Sequence, residues 1–123
     1  EAYNKIKTLD YSLFTKETIS IYDRILKQDI STLDIAEISS SGYVVDTLEA
    51  SLWVILNARN FKEAIIGSVN LGNDTDTIGA ITGSMAGIIY GYDDIPKNWL
   101  NKLAKKEYLE NLCDSFEEAI KNN

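Results

Sequence analysis

Apolar residues recur at helical spacing along nearly the whole chain. Behind Thr15, a natural N-cap, Ile19, Tyr22, Ile25 and Leu26 follow one another three and four residues apart. The stretch QDISTLDIAEISSS then loses the period and predicts a loop with one short helical turn. From Tyr43 the period returns, and Val45, Leu48, Leu52, Ile55 and Leu56 fall on one helical face. Asn60 followed by Glu63 has the form of a capping box and opens a helix through FKEAIIGSVNL, which Gly72 ends. The DTDT segment opens the next helix, which runs towards Gly91. Pro96 suits a first helical turn and starts a helix through Trp99, Leu100 and Leu103. In a last helix, Leu109, Leu112, Phe116, Ala119 and Ile120 are expected to face inward. The best strand candidate, YVV at 43–45, is too short to stand, so the pattern predicts an all-α chain.

Composition narrows the chemistry. The 123 residues carry 12 Lys plus Arg against 19 Asp plus Glu, a net charge of −7. Nothing supplies a basic patch for phosphates, so nucleic acid is excluded as a partner. There is no His, which removes Ser-His-Asp and Cys-His catalysis and His-ligated zinc from this chain. The single cysteine, Cys113, has no internal partner for a disulfide, and on the last helix it reads as a packing residue, as do Trp53 and Trp99. Neither repeats nor linkers divide the chain, so residues 1–123 read as one all-α domain or as the C-terminal part of a larger one. The first residue is Glu, and the charged opening EAYNKIKTLDYSLF is not a signal peptide, so a cytoplasmic location is expected. The 16 uncharged residues from Thr77 to Tyr92 fall short of a membrane span and are clamped by Asp74, Asp76, Asp93 and Asp94. They read as a buried helix, with no membrane partner.

The chemistry concentrates in LGNDTDTIGAITGSMAGIIYG, residues 71–91. In a regular helix Asp74 and Asp76 would point about 200° apart. They can converge where a turn, formed by Gly72 and Asn73, passes into a helix. Two carboxylates and a hydroxyl there make an all-oxygen site that suits Mg²⁺, Mn²⁺ or Ca²⁺ rather than zinc or copper. The same residues also fit an acidic N-cap that complements a helix dipole. An EF-hand is excluded, because its fifth and twelfth loop positions would be Ile78 and Met85. A phosphatase-type D-x-D-x-T is disfavoured, since Ile78 takes the last place and the preceding chain is helical. Behind this turn, Gly79, Gly83, Gly87 and Gly91 recur every four residues on one helical side. Each costs roughly 0.5–1 kcal/mol of helix propensity against Ala. The stripe therefore predicts a close packing surface, and its spacing matches no phosphate-binding loop.

Three segments together, SSGYVVDTLEASLW, FKEAIIGSVNLGNDTDTIGAITGSMAGIIYG and IPKNWLNKL, resemble the C-terminal part of the ADP-ribosylglycohydrolase family over roughly residues 39–103. The resemblance implies an orthogonal all-α bundle holding a binuclear Mg²⁺ or Mn²⁺ site. It also implies a metal-dependent hydrolase that removes ADP-ribose from ADP-ribosylated protein side chains or related ADP-ribosyl compounds. Carried over, the metal ligands are Asp74, Asp76 and Thr77, and Gly42, Tyr43, Gly72 and Asn73 border the substrate. The remaining ligands and the acidic residue that acts as base are expected in an N-terminal portion of the same protein, because no Thr-Asp-Asp-type motif occurs in residues 1–40. The bundle is accordingly expected to be incomplete in this chain, which alone should be inactive. The alternative is a non-catalytic ADP-ribose-binding or interaction module on the same scaffold. Ser39, Ser40 and Ser41 read as a helix-start loop, and Asp46 and Glu49 as acids favouring a helix dipole.

Overall fold

A computed structural model describes residues 1–122. Its helices are α1 (Ala2–Ile6), α2 (Lys16–Ser20), α3 (Asp23–Lys27), α4 (Val44–Asn57), α5 (Phe61–Asn70), α6 (Thr75–Tyr90), α7 (Lys97–Leu100) and α8 (Lys106–Lys121), with 3₁₀ turns at Ile30–Thr32, Ile35–Glu37 and Tyr92–Asp94. Among the described residues there is no strand, so the fold is all-α.

Thr15 caps α2 as its sequence position implies, its hydroxyl accepting from the Thr18 N–H. The expected single helix behind it breaks after Ser20 and restarts as α3. The segment before α4 forms two 3₁₀ turns rather than one. The second is closed by a true capping box in which Asp34 and Glu37 serve each other's backbone. The Asn60–Glu63 pair is only half of one: Asn60 accepts from the Glu63 N–H, while the Glu63 carboxylate turns to Arg59. Asp94 completes that helix start, accepting from the Phe61 N–H at 2.7 Å. Pro96 stands at the N-cap of α7 rather than inside it, and α7 stops at Leu100, short of Leu103.

The centre of the molecule is α4, α5 and α6, with α5 and α6 in the most extensive contact and α4 against both. Val54, Phe61, Ala64 and Ala86 form one buried cluster, and Ile38, Ala50 and Ile78 another. Trp53 packs against both, its indole N–H donating to the Leu33 carbonyl at 3.0 Å. Trp99 packs on the first cluster, so both tryptophans are packing residues.

Small residues decide which faces meet. Toward the core, α4 buries Ala50, Ser51 and Val54. Of the expected face, Val45 is buried and Ile55 packs against the first cluster, while Leu48, Leu52 and Leu56, with an edge of Ile55, wall an apolar groove of about 940 Å³ shared with Tyr22 of the N-terminal segment and Ile88 of α6. The glycine stripe is real only in its first half. A Cβ on Gly83 would meet Ile65 Cδ1 at 3.3 Å, and one on Gly79 would touch Ser68 and Val69 of α5. Gly87 meets nothing within 4 Å, and Gly91 ends α6 with φ +80, so these two make no packing surface. The close neighbours are side chains of α5, not an approaching backbone.

The last helix corrects a further expectation. Leu109, Leu112, Phe116 and Ile120 of α8 are exposed, Phe116 by 67%, and Cys113 is exposed too. Their spacing gives α8 an apolar stripe, but α8 takes part in none of the extensive helix contacts among the described residues. No helix of the described residues is long and apolar enough to cross a membrane.

Candidate functional site

The turn between α5 and α6 is built by two consecutive left-handed residues. Gly72 has φ +79, where only glycine is unstrained, and Asn73 has φ +54, which asparagine tolerates better than most residues. They reverse the chain at the end of α5 and deliver Asp74 to the first position before α6.

Asp74 occupies an N-cap position without capping the helix. Its side chain accepts no helix N–H. Instead Oδ1 accepts from the Thr77 hydroxyl at 2.9 Å. Oδ2 lies where a Cβ on Gly42 would come within 3.2 Å, closer than ordinary van der Waals contact. Asp76 is exposed on the first turn of α6. A hydrogen bond with the Asp74 carboxyl, and then the Thr77 backbone N–H, hold Asp76 below the usual carboxylate range. Asp74 and Thr77 are thus joined at the turn-to-helix junction, with Asp76 on the same first turn, and the acidic N-cap account fails for Asp74.

The loop before α4 closes the other side. Ser40 is buried, and its hydroxyl donates to the Leu71 carbonyl at 3.1 Å and accepts from the Asn73 amide at 3.0 Å. Its carbonyl accepts from the Asp74 N–H at 3.2 Å. Ser39 and Ser41 both donate to Asp46 Oδ2, at 2.7 and 2.6 Å. These bonds, Ser41 first, hold the Asp46 carboxyl below its ordinary pKa. Tyr43 stands just before α4 with its ring half exposed, its backbone N–H on the Ser41 hydroxyl.

Two acids read as dipole partners do more specific work. Asp46 anchors the serine loop. Glu49 is buried against α3's Arg24, with Oε2 3.2 Å from Arg24 Nε. Burial pushes the Glu49 pKa up, and Arg24 offsets part of that rise. The N–H on Arg24 Nη2 also donates to the Glu37 carbonyl at 3.1 Å, which ties the N-terminal segment to the loop ahead of the site. Sequence reading missed Ser40 and the Arg24–Glu49 pair. The run of three serines ahead of a glycine marked the loop, but no spacing rule pairs residue 40 with residue 73 or residue 24 with residue 49.

The resulting surface holds two carboxylates, hydroxyls and amide groups, all hard oxygen or nitrogen donors. No cluster of three or more Asp, Glu, Cys or His side chains able to hold a metal ion occurs among the described residues. Asp74, Asp76 and Thr77, two carboxylates and a hydroxyl, fall short of a full ligand set for a divalent cation.

Comparison with known proteins gives the family. The ADP-ribosylglycohydrolase family model matches residues 2–123. ADP-ribosylarginine hydrolase Tri1 of Serratia proteamaculans is 53% identical over 80 residues, covering 65% of this chain and 22% of that protein. ADP-ribosyl-[dinitrogen reductase] glycohydrolase of Rhodospirillum rubrum is 48% identical over 67 residues, 54% of this chain and 23% of that protein. Human ADP-ribosylhydrolase ARH3 is 34% identical over 61 residues, 50% of this chain and 14% of that protein. The chain thus spans less than a quarter of the length of these relatives. A helical core, an Asp-Thr-Asp-Thr turn pinned to a serine loop, and a family match across nearly all the residues converge on one assignment: the chain belongs to the ADP-ribosylglycohydrolase family.

Proposed function

We propose that this chain is the C-terminal portion of a metal-dependent hydrolase that removes ADP-ribose from ADP-ribosylated protein side chains or related ADP-ribosyl compounds. The observation that carries the reading is the Asp74 carboxylate: at a helix start, yet bonded to Thr77 and lying against Gly42 instead of capping the helix. A carboxylate spent on a cap would be unavailable to a ligand; this one is held beside a second carboxylate and a hydroxyl. The relatives, an ADP-ribosylarginine hydrolase and an ADP-ribosyl-[dinitrogen reductase] glycohydrolase, supply the reaction class.

Asp74, Asp76 and Thr77 would hold Mg²⁺ or Mn²⁺, one side of a binuclear site. When bound, such cations polarise oxygen ligands and offset negative charge as the leaving group departs. Gly42 leaves room beside Asp74, and Gly42, Tyr43, Gly72 and Asn73 border the ADP-ribosyl group. Asn73 is already committed through its amide to Ser40, so it shapes the border rather than donating freely. The remaining ligands, and the carboxylate that takes the proton from the attacking water, come from an N-terminal portion of the same protein. A cytoplasmic location goes with this reading.

The test is release of ADP-ribose from an ADP-ribosylated arginine protein, with Mg²⁺ or Mn²⁺ and with EDTA. It compares the chain joined to the N-terminal portion of a relative's length with the 123-residue chain alone. The joined protein should turn over only with metal and lose most activity on Asp74→Asn. The short chain should not turn over. Metal-independent release, or full activity in Asp74→Asn, sinks the proposal. A joined protein that binds ADP-ribose without turnover would establish the binding module instead.

A further inference from the structure

We propose that Ser40 is a positioning residue for the cation-binding turn, setting the Asp74 carboxylate by holding three successive points of the backbone and side chains at residues 71–74. The proposal rests on the reading of Asp74, Asp76 and Thr77 as cation ligands.

The turn cannot hold itself. Gly72 and Asn73 are both left-handed, a conformation that L-residues avoid and that asparagine only tolerates better than most. The turn's own bonds are few: Gly72 N–H to the Val69 carbonyl and Thr75 N–H to the Asn73 carbonyl. One residue outside the turn supplies the rest. The Ser40 hydroxyl donates to the Leu71 carbonyl before the reversal and accepts from the Asn73 side chain within it. The Ser40 carbonyl accepts from the Asp74 N–H after it. Ser40 is 4% exposed, so water does not replace these partners freely.

Ser40 is itself held from the far side. Ser39 and Ser41 flank it and both donate to Asp46 of α4. The loop therefore bridges α4 and the α5–α6 turn through alternate residues: the outer two serines face α4, and the middle one faces the turn. Gly42 follows immediately and lies against Asp74 Oδ2. Displacement of Ser40 would move both neighbours of the Asp74 carboxylate together, namely its backbone N–H partner and the glycine beside its oxygen. Mg²⁺ and Mn²⁺ sites tolerate little displacement of a ligand oxygen. A hydroxyl buried behind the ligands can therefore control affinity without touching the ion.

The test measures Mn²⁺ affinity of the full chain by electron paramagnetic resonance, with amide exchange followed at Asp74, for Ser40→Ala, Ser40→Thr and Asp74→Asn. Removal of an outer partner typically weakens a metal site by about 10–100-fold. Ser40→Ala should fall at the lower end, about tenfold, with loss of exchange protection at the Asp74 amide and none in the middle of α5 and α6. Ser40→Thr keeps the hydroxyl and should recover most of the affinity. Asp74→Asn should abolish binding. Wild-type Mn²⁺ affinity and unchanged Asp74 protection in Ser40→Ala overturn the proposal. So does a loss that spreads protection changes through α5 and α6 and is not recovered by Thr, since that is a folding role. If wild type and Asp74→Asn bind Mn²⁺ equally, the cation reading falls, and exchange at Asp74 alone decides whether Ser40 holds the turn.

Discussion

Replacing Arg24 by Ala should destabilise the fold by about 2 kcal/mol near neutral pH, because it strands the buried Glu49 carboxylate. At the observed 3.2 Å separation, two unit charges attract by roughly 5 kcal/mol with an effective dielectric near 20. That figure is an upper bound. The Arg24 side chain is 44% exposed, so solvent screens it, whereas Glu49 is only 10% exposed. Fully exposed pairs contribute at most about 1 kcal/mol and broken buried pairs cost about 3–5. A pair with one buried and one half-exposed partner falls between. Loss of the Arg24 bond to the Glu37 carbonyl adds to the cost.

The sign of the pH dependence is fixed by Glu49. Its folded pKa lies above its ordinary value, chiefly through burial, so the folded state holds the proton more tightly than the unfolded state. Its contribution to stability is therefore full below the unfolded carboxylate range and is lost as pH rises through the raised folded value. Arg24 limits that loss, and Arg24→Ala should deepen it. Urea unfolding at pH 4.5 and pH 7.5 measures the difference. Arg24→Ala should lose more stability at the higher pH, and adding Glu49→Gln should restore part of it by removing the buried charge. Equal losses at both pH values, with no recovery in the double variant, would refute the reasoning.

Gly83→Leu should destabilise by about 1–3 kcal/mol, because even its Cβ would press on Ile65 Cδ1 at 3.3 Å, while Gly87→Ala should be neutral or stabilising in a space with nothing near it. Thermal melting of the two variants separates the packed half of the stripe from the open half, and equal shifts would contradict it. Gly42→Ala should leave the melting temperature nearly unchanged but weaken Mn²⁺ binding several-fold, since its Cβ would displace Asp74 Oδ2 by a few tenths of an ångström; titration followed by electron paramagnetic resonance checks this. The chain should self-associate through its uncovered apolar surface, and Leu112→Lys with Phe116→Lys should reduce the mass seen by analytical ultracentrifugation. An unchanged mass would place the association elsewhere.

Periodicity and end signals sufficed for α4, α5 and α6, because those helices are long, closely spaced and bounded by residues with strong local preferences. Thr15, Asn60 and Gly72 act within a turn or two of themselves, so their roles follow from sequence alone. The meeting of Asp74 and Thr77 was legible for the same reason: both lie within one turn, after a glycine that must reverse the chain. Which helical face is buried was not legible. A period shows that Val45, Leu48, Leu52, Ile55 and Leu56 share a side, and that Leu109, Leu112, Phe116 and Ile120 do, but burial needs a second element opposite, and of these only Val45 is buried. In α4 the partners fitted the smaller face of Ala50, Ser51 and Val54, since small side chains let α5 and α6 come close. Along α6 the same geometry put Gly79 and Gly83 against α5 and left Gly87 in the open, where only the end of the neighbouring helix decides the difference. The hold of Ser40 on residues 71–74 and of Arg24 on Glu49 likewise spans about 25–34 positions of chain, distances over which no local spacing carries information and only packing brings the groups together.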